Sequence, residues 1–293
     1  MRATLEPWAN RGPVRGAVYE LFIFGLKQAW ACLFGGAMLL LIVGTRYAWP
    51  AIWPHGAPLA RYDFLVLAAI VIQALMLATK LEQWDEALVI LVFHVTGTAM
   101  EVFKTAHGSW IYPEASLLRI GGVPLFSGFM YASIGSYIAR TWRLMELRYE
   151  AYPPAWAPWT LAILAYVNFF THTWWPDIRI GLFAFSGLIW WRTWVCFTPD
   201  RKERRMPLLL SAVLVALFIW LAENLGTFAT AWVYPGQRHH WAPVGPGKIG
   251  AWYLLVTLSF VLVTLVRRPN AAPVHEAAAE MAKAGESIRA PVA

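Results

Sequence analysis

Two glutamates stand in matched surroundings. Residues 101 to 113 read EVFKTAHGSWIYP and residues 223 to 235 read ENLGTFATAWVYP. Glu101 and Glu223 therefore each precede by nine positions a tryptophan, Trp110 or Trp232, that is followed two residues later by Tyr112 or Tyr234 and then by proline. A carboxyl group in an oily setting can give or take a proton, and the faces of indole and phenol rings can stabilise positive charge beside it. These are the parts of an intramembrane acid catalyst or of a proton-coupled carrier. They are also costly parts, because a charged carboxylate near the centre of a bilayer costs about 3 kcal/mol on insertion scales. Keeping two at matched positions requires protonation, a partner or a water-filled cavity.

Helical spacing supplies neighbours for them. His94, Thr98, Glu101 and Thr105 fall at i, i+4, i+7 and i+11 and share one helical face. Lys104 follows Glu101 by three residues and either pairs with it or reaches outward. Glu223, Asn224 and Thr227 share a side of a later helix, and Asn168 and His172 sit at i and i+4 of another. The expected site gives Glu101 and Glu223 the catalytic or proton-carrying role. It gives substrate contacts to His94, Trp110, Tyr112, Tyr131, Trp232, Tyr234, Tyr253, Asn168 and His172. Each has a structural alternative, since polar side chains also bond membrane helices to one another. Function is favoured for the two glutamates, because ionisable residues at such depth mark pathways and sites. Packing is favoured for His94, His172 and Asn168 taken singly, and the two readings weigh equally for Tyr131 and Tyr253. His239 and His240 lack ligand spacing and a third partner, so no metal is assigned. No residue pattern names a cofactor.

The elements that position these residues follow from composition. Of 293 residues 59% are hydrophobic and 14% charged, and mean hydropathy is +0.49. A soluble domain carries about 25% charged residues, so the chain is expected to live in a lipid bilayer. Apolar runs near 20 to 43, 63 to 80, 86 to 104, 124 to 143, 159 to 176, 178 to 197, 207 to 229 and 249 to 267 predict an all-α, multi-pass bundle of about eight transmembrane helices. The domain expectation is an N-terminal cytoplasmic segment 1 to 19, a helical domain 20 to 267 with halves 20 to 145 and 159 to 267, and a polar tail 268 to 293. With the N-terminus inside, fifteen Lys and Arg residues fall in inner segments and seven in outer loops, which places both termini in the cytoplasm. The net charge of +7 is spread over short loops rather than gathered on a polar domain, so membrane orientation explains it better than nucleic acid. The strongest inner anchor is TPDRKERRMP, 198 to 207. Cys32 and Cys196 both fall within predicted spans, which leaves neither a disulfide framework nor a CxxC metal site.

A shift of 122 residues aligns nine identities without a gap, among them Leu88 with Leu210, Thr105 with Thr227, Pro124 with Pro246, Gly128 with Gly250 and Tyr131 with Tyr253. Spans three and four are thus expected to repeat as seven and eight in parallel orientation, about an axis along the membrane normal. Proline in each WxYP is expected to end its helix. If the helix ran that far, Glu101 would lie about 13 Å from its tryptophan at the α-helical rise.

The segment 101 to 140, with GSWIYPE and GVPLFSGFMYASIGSYI, resembles a family of bacterial integral membrane proteins known as domain of unknown function 817. That resemblance implies a bacterial inner-membrane protein of several spans and no particular activity. Glu101, Gly108, Trp110, Tyr112 and the stretch Gly122 to Leu125 are also similar in order to membrane carotenoid hydratases and cyclases, with a shorter spacing after the glutamate and Trp110 in place of a tyrosine. This second likeness implies an isoprenoid or other lipid substrate and carboxyl-dependent acid catalysis. A proton-coupled transporter and a non-catalytic scaffold are the alternatives.

Overall fold

The computed structural model describes residue 10, residues 12 to 52 and residues 59 to 269. Arg2, Arg11, Trp53 and the greater part of the tail lie outside the described residues. Among the described residues nine α-helices follow in order: α1 Pro13–Ala31, α2 Leu33–Ile52, α3 Arg61–Ala78, α4 Trp84–Ala106, α5 Phe126–Leu144, α6 Trp156–Thr171, α7 Arg179–Trp190, α8 Leu208–Phe228 and α9 Lys248–Val263. Four of them, α2, α3, α4 and α8, are long and apolar enough to cross a membrane, and α7 and α9 are shorter apolar helices. Apolar side chains such as Leu40, Leu91, Val95 and Phe218 face outward while Glu86, Glu101, Arg140 and Glu223 are enclosed. A water-soluble fold would reverse that distribution, and a chain surrounded by lipid tails adopts it.

The helices meet expectation in kind and differ in three details. The apolar run 20 to 43 is divided between α1 and α2, with Cys32 at the corner. Polar groups at the start of the run explain the division, because Tyr19, just before it, bonds Asp200 at 3.0 Å and Lys27, within it, donates to the Thr198 carbonyl at 3.1 Å. Two turns of α1 therefore lie along one short loop. The run 178 to 197 likewise stops being helical at Trp190, and Trp194–Phe197 forms a strand, β4. β4 pairs antiparallel with β3, Arg148–Glu150, and β5, Arg204–Pro207. Short apolar runs do not separate strand from helix by period, and the β-branched and aromatic WVCF favours the strand. Among the described residues the chain is mostly helical but carries five short strands, and the basic segment 198 to 207 ends in one of them.

The α4–α5 pair positions the first glutamate. α4 opens on a capping box in which the Glu86 carboxylate accepts the Gln83 backbone N–H at 3.0 Å, with Asp85 and Glu86 in the first turn favouring the positive helix end. Between the helices, β1 Arg119–Ile120 and β2 Val123–Pro124 form a hairpin closed by Gly121 and Gly122 at φ 56° and 83°, a conformation that suits glycine. The Asp63 carboxylate at the start of α3 accepts the Leu117 and Leu118 amides at 2.9 and 2.7 Å and holds this loop in place. Glycine lets the two helices approach closely: a methyl at Gly97 would strike the Tyr131 ring, and one at Gly128 would overlap His94 and Thr98. One apolar core joins α4 to α9 through Phe93, Ile138, Leu161, Leu182, Ala216 and Val261. A second gathers around Tyr62, Trp110, Phe126, Ala229 and Trp232 beneath the 111 to 113 and 233 to 235 segments.

Candidate functional site

Both helices that carry the glutamates end in the same way. α4 stops at Ala106, Gly108 turns left-handed at φ 69°, and the Ser109 and Gly108 amides bond the Lys104 and Thr105 carbonyls, each at 3.0 Å. α8 stops at Phe228, Thr230 turns left-handed at φ 53°, and the Ala231 and Thr230 amides bond Gly226 and Thr227 at 3.0 and 2.9 Å. This double bond pattern is a Schellman cap. It corrects the expectation that proline ends these helices, because the cap acts several residues before Pro113 and Pro235. It also corrects the 13 Å separation, since the reversed chain brings each WxYP segment back over its own helix. Across the join, Ile111 and Val233 exchange both backbone bonds, at 3.0 and 2.9 Å, as an isolated antiparallel pair.

The reversal surrounds Glu101 with donors. Its Oε2 accepts the Trp110 indole N–H at 2.7 Å and the Tyr112 hydroxyl at 2.6 Å, and its Oε1 accepts the Tyr131 hydroxyl at 2.8 Å. Glu223 Oε1 accepts the Tyr234 hydroxyl, and its Oε2 accepts the Trp252 indole N–H at 2.6 Å. The two carboxyl groups are 5% and 3% exposed, so neither depends on water for its hydrogen bonds. Hydrogen bonds to a charged group contribute about 1.5–3 kcal/mol each, enough for several together to offset the cost of burial. The two sets touch. Trp110 meets Tyr234 edge-on with ring centroids 5.8 Å apart, and Tyr131 meets Trp252 at 6.5 Å. Lys248, at the start of α9, places its ammonium 4.5 Å from the Tyr234 ring centre and 5.3 Å from that of Trp110, and it is within Coulombic range of both glutamates.

The other expected residues divide. Tyr112, Tyr131 and Tyr234 belong to the donor shells. Tyr253 does not, for its hydroxyl bonds Ser186. Trp232 packs over Gly226, where a methyl group would overlap its ring. Asn168 joins the end of α6 to the next loop, donating to Asp177 at 3.1 Å and accepting the Ile178 amide at 3.1 Å. His172 bonds Lys104 at 3.1 Å, which answers the question of Lys104's partner. His94 packs on Phe129 with ring centroids 4.4 Å apart. Its Nδ1 and the hydroxyls of Thr98 and Thr105 are buried without a partner among the described residues. Asp177 lies outside the helices; burial alone would raise its carboxyl, but hydrogen bonds from Arg179 and Asn168 prevail and hold it down at about 2. A cavity of about 320 Å³ opens here, lined by Asp177, Arg179, Phe183 and Gly247, the residue before Lys248.

Trp252 and Lys248 were not legible as site residues, because the offset of 122 aligns them with Met130 and Phe126. Arg61 was missed for another reason. Nothing in its spacing marks it, yet it is 4% exposed, bonds Thr45 and the Ile42 carbonyl at 2.9 and 2.8 Å, and pairs with Glu114 at 2.5 Å.

Comparisons with known proteins agree with this geometry in giving a family without an activity. The model of a family described as "Protein of unknown function (DUF817)" matches residues 20–260. The chain is 40% identical over 252 residues to "Uncharacterized protein YoaT" of Bacillus subtilis (strain 168), covering 86% of this chain and 93% of that one. No solved structure matches.

Proposed function

The chain belongs to the DUF817 family of proteins of unknown function, and from that premise we propose that it is an eight-span carrier in which Glu101 and Glu223 form one proton-binding centre between two related halves. The spans are α2 to α9, with α1 on the inner surface and both termini inside a bacterial cytoplasmic membrane. Support for related halves comes from features 122 residues apart. These are the left-handed residues Gly108 and Thr230, the matched caps, the Tyr112 and Tyr234 bonds to their glutamates, and the Ile111–Val233 pair. A residue bonding its own counterpart lies on a twofold axis, as parallel repeats require.

The observation that carries the reading is the contact between the two donor shells, Trp110 on Tyr234 and Tyr131 on Trp252. Moving a proton onto or off one carboxyl changes what its donors can bond, and those donors press on the shell of the other. A carrier uses such coupling to link ion binding to rearrangement of the halves. Acid catalysis suits the arrangement less well, because both glutamates are buried with their carboxyl oxygens bonded to protein side chains, which leaves neither facing a substrate. One observation still favours an isoprenoid enzyme: the faces of Trp110 and Tyr234 already hold a cation, the Lys248 ammonium, as they would hold a carbocation.

The test is reconstitution of the purified chain in liposomes that enclose a pH-sensitive dye, challenged with a panel of small polar solutes. A carrier acidifies the lumen with one of them, and Glu101→Gln or Glu223→Gln abolishes the response. Silence across the panel, with an altered lipid extract in cells lacking the gene, would instead support the enzyme.

A further inference from the structure

A second buried charge lies at the far end of the bundle from Glu101. Arg140, one turn before the end of α5, is 0% exposed. Its Nε, Nη1 and Nη2 all lack a hydrogen-bond partner among the described residues. A guanidinium carries five N–H donors in a fixed fork and keeps its charge in proteins, so it cannot escape this burial by losing a proton. Leaving such donors unsatisfied is among the most expensive arrangements a fold can contain.

The acceptors nearby serve other groups. Glu82 and Glu86 are within Coulombic range of Arg140. Glu82 accepts the Ser136 hydroxyl at 2.6 Å and the Gln73 amide. Glu86 takes Arg143 at 2.9 Å, Arg267 at 3.4 Å and the Gln83 amide at 3.0 Å. The Thr141 hydroxyl, one residue on, is also buried and meets no hydrogen-bond partner within bonding distance among the described residues. Cys32, the exposed corner between α1 and α2, is also within Coulombic range of Arg140. Gln28 of α1 and Tyr137 of α5 bond each other at 2.8 Å beside it. α1 turns an apolar stripe outward, Val14, Val18, Leu21, Phe22, Leu26 and Trp30, at the spacing of one helical face. A helix of that kind lying along the inner loops sits at the level of lipid headgroups.

We propose that Arg140 anchors an oxyanion site at the inner end of the bundle, for a phosphate group borne by a lipid headgroup or present as free phosphate. The guanidinium fork matches a group that offers several oxygens at once. Three carboxylates, Glu82, Asp85 and Glu86, oppose three guanidinium groups, Arg140, Arg143 and Arg267, so attraction comes from unsatisfied donors rather than from net positive charge. A phosphodiester with a single charge fits that balance better than a dianion. The site is separate from Glu101 and Glu223 and independent of any activity there.

The test heats purified full-length protein, in detergent free of phosphate, with inorganic phosphate, with short-chain phosphatidylglycerol or with a short-chain monoacylglycerol at matched ionic strength. The wild type is stabilised by a phosphate source and not by the monoacylglycerol. A response to the phospholipid alone assigns a headgroup, and a response to inorganic phosphate as well assigns the free ion. Arg140→Gln loses the response. Arg140→Lys keeps the charge the fold needs but replaces the fork by one ammonium, and binds roughly tenfold or more weakly. The site is overturned if neither phosphate source stabilises the wild type beyond the monoacylglycerol, or if Arg140→Lys responds with unchanged affinity.

Discussion

The two ends of the bundle bury acidic groups by different means. At one end Glu82, Asp85 and Glu86 face Arg140, Arg143 and Arg267, and Glu86 is held directly by Arg143 at 2.9 Å and Arg267 at 3.4 Å. At the other, the hydrogen bonds to Glu101 and Glu223 among the described residues come from neutral hydroxyl and indole donors, and Lys248 lies over the Trp110 and Tyr234 rings that supply two of them. An acid fixed by a guanidinium is locked in its charged form, because losing that charge leaves the arginine unpaired. An acid fixed by hydroxyl groups is not locked in the same way, since a hydroxyl can accept as well as donate. The first arrangement ties α4, α5 and the end of α9 together; the second allows a change of charge.

That comparison can be broken or sharpened by substitution. The largest effect is expected from Glu86→Gln, which takes the carboxylate from Arg143 and leaves Arg267 with Asp85 alone, and should cost about 3 kcal/mol of stability, measured by thermal unfolding in detergent. Glu101→Gln should cost less, about 1–2 kcal/mol, because an amide oxygen still accepts part of the donor set. It should nevertheless remove proton-linked function, so a variant that unfolds as readily as Glu86→Gln would place Glu101 with the locked acids. The matched caps offer a finer test. Thr230 is left-handed where its counterpart Gly108 is glycine, so Thr230→Gly should gain and Gly108→Thr should lose about 1 kcal/mol. Equal and opposite shifts are the expected sign of one shared backbone geometry. The smallest effect concerns Asp177. Its folded value, about 2, is depressed, so its contribution is full above the ordinary aspartate range, about 4, and fades as pH falls toward 2. Hydrogen exchange in the loop between α6 and α7 should therefore quicken between those values, and Asp177→Asn should remove the pH dependence.

How much of this was legible in the sequence depends on which force placed each residue. Helices α3, α4, α5 and α8 follow the apolar runs closely, since lipid rewards continuous apolar surface. The glutamates and their tyrosines were found from spacing, and Tyr112 and Tyr234 do bond them at the same offset. The runs 86 to 104 and 207 to 229 end within two residues of α4 and α8, but the cause of the ending is not proline: proline is conspicuous in a sequence whereas a Schellman cap at Thr230 is not. Trp252 and Lys248 were invisible for a different reason: they reach Glu223 and the rings from α9 by tertiary contact, and nothing in the local pattern marks them. His172 and Asn168, expected to be packing groups when taken singly, make a bond to Lys104 and a tether to Asp177 respectively. The corner at Cys32 was concealed by an unbroken apolar run, although Lys27 and Gln28 within that run mark the face that turns toward the inner loops.

The central claim is that the carboxyl groups of Glu101 and Glu223 act as one centre. It is tested most directly by infrared difference spectra of the carboxyl C=O band across a pH titration of the purified protein, comparing the wild type with Glu101→Gln and Glu223→Gln. The account predicts that removing either carboxyl displaces the titration of the one that remains. Two bands that titrate independently, each untouched by loss of the other, would contradict it.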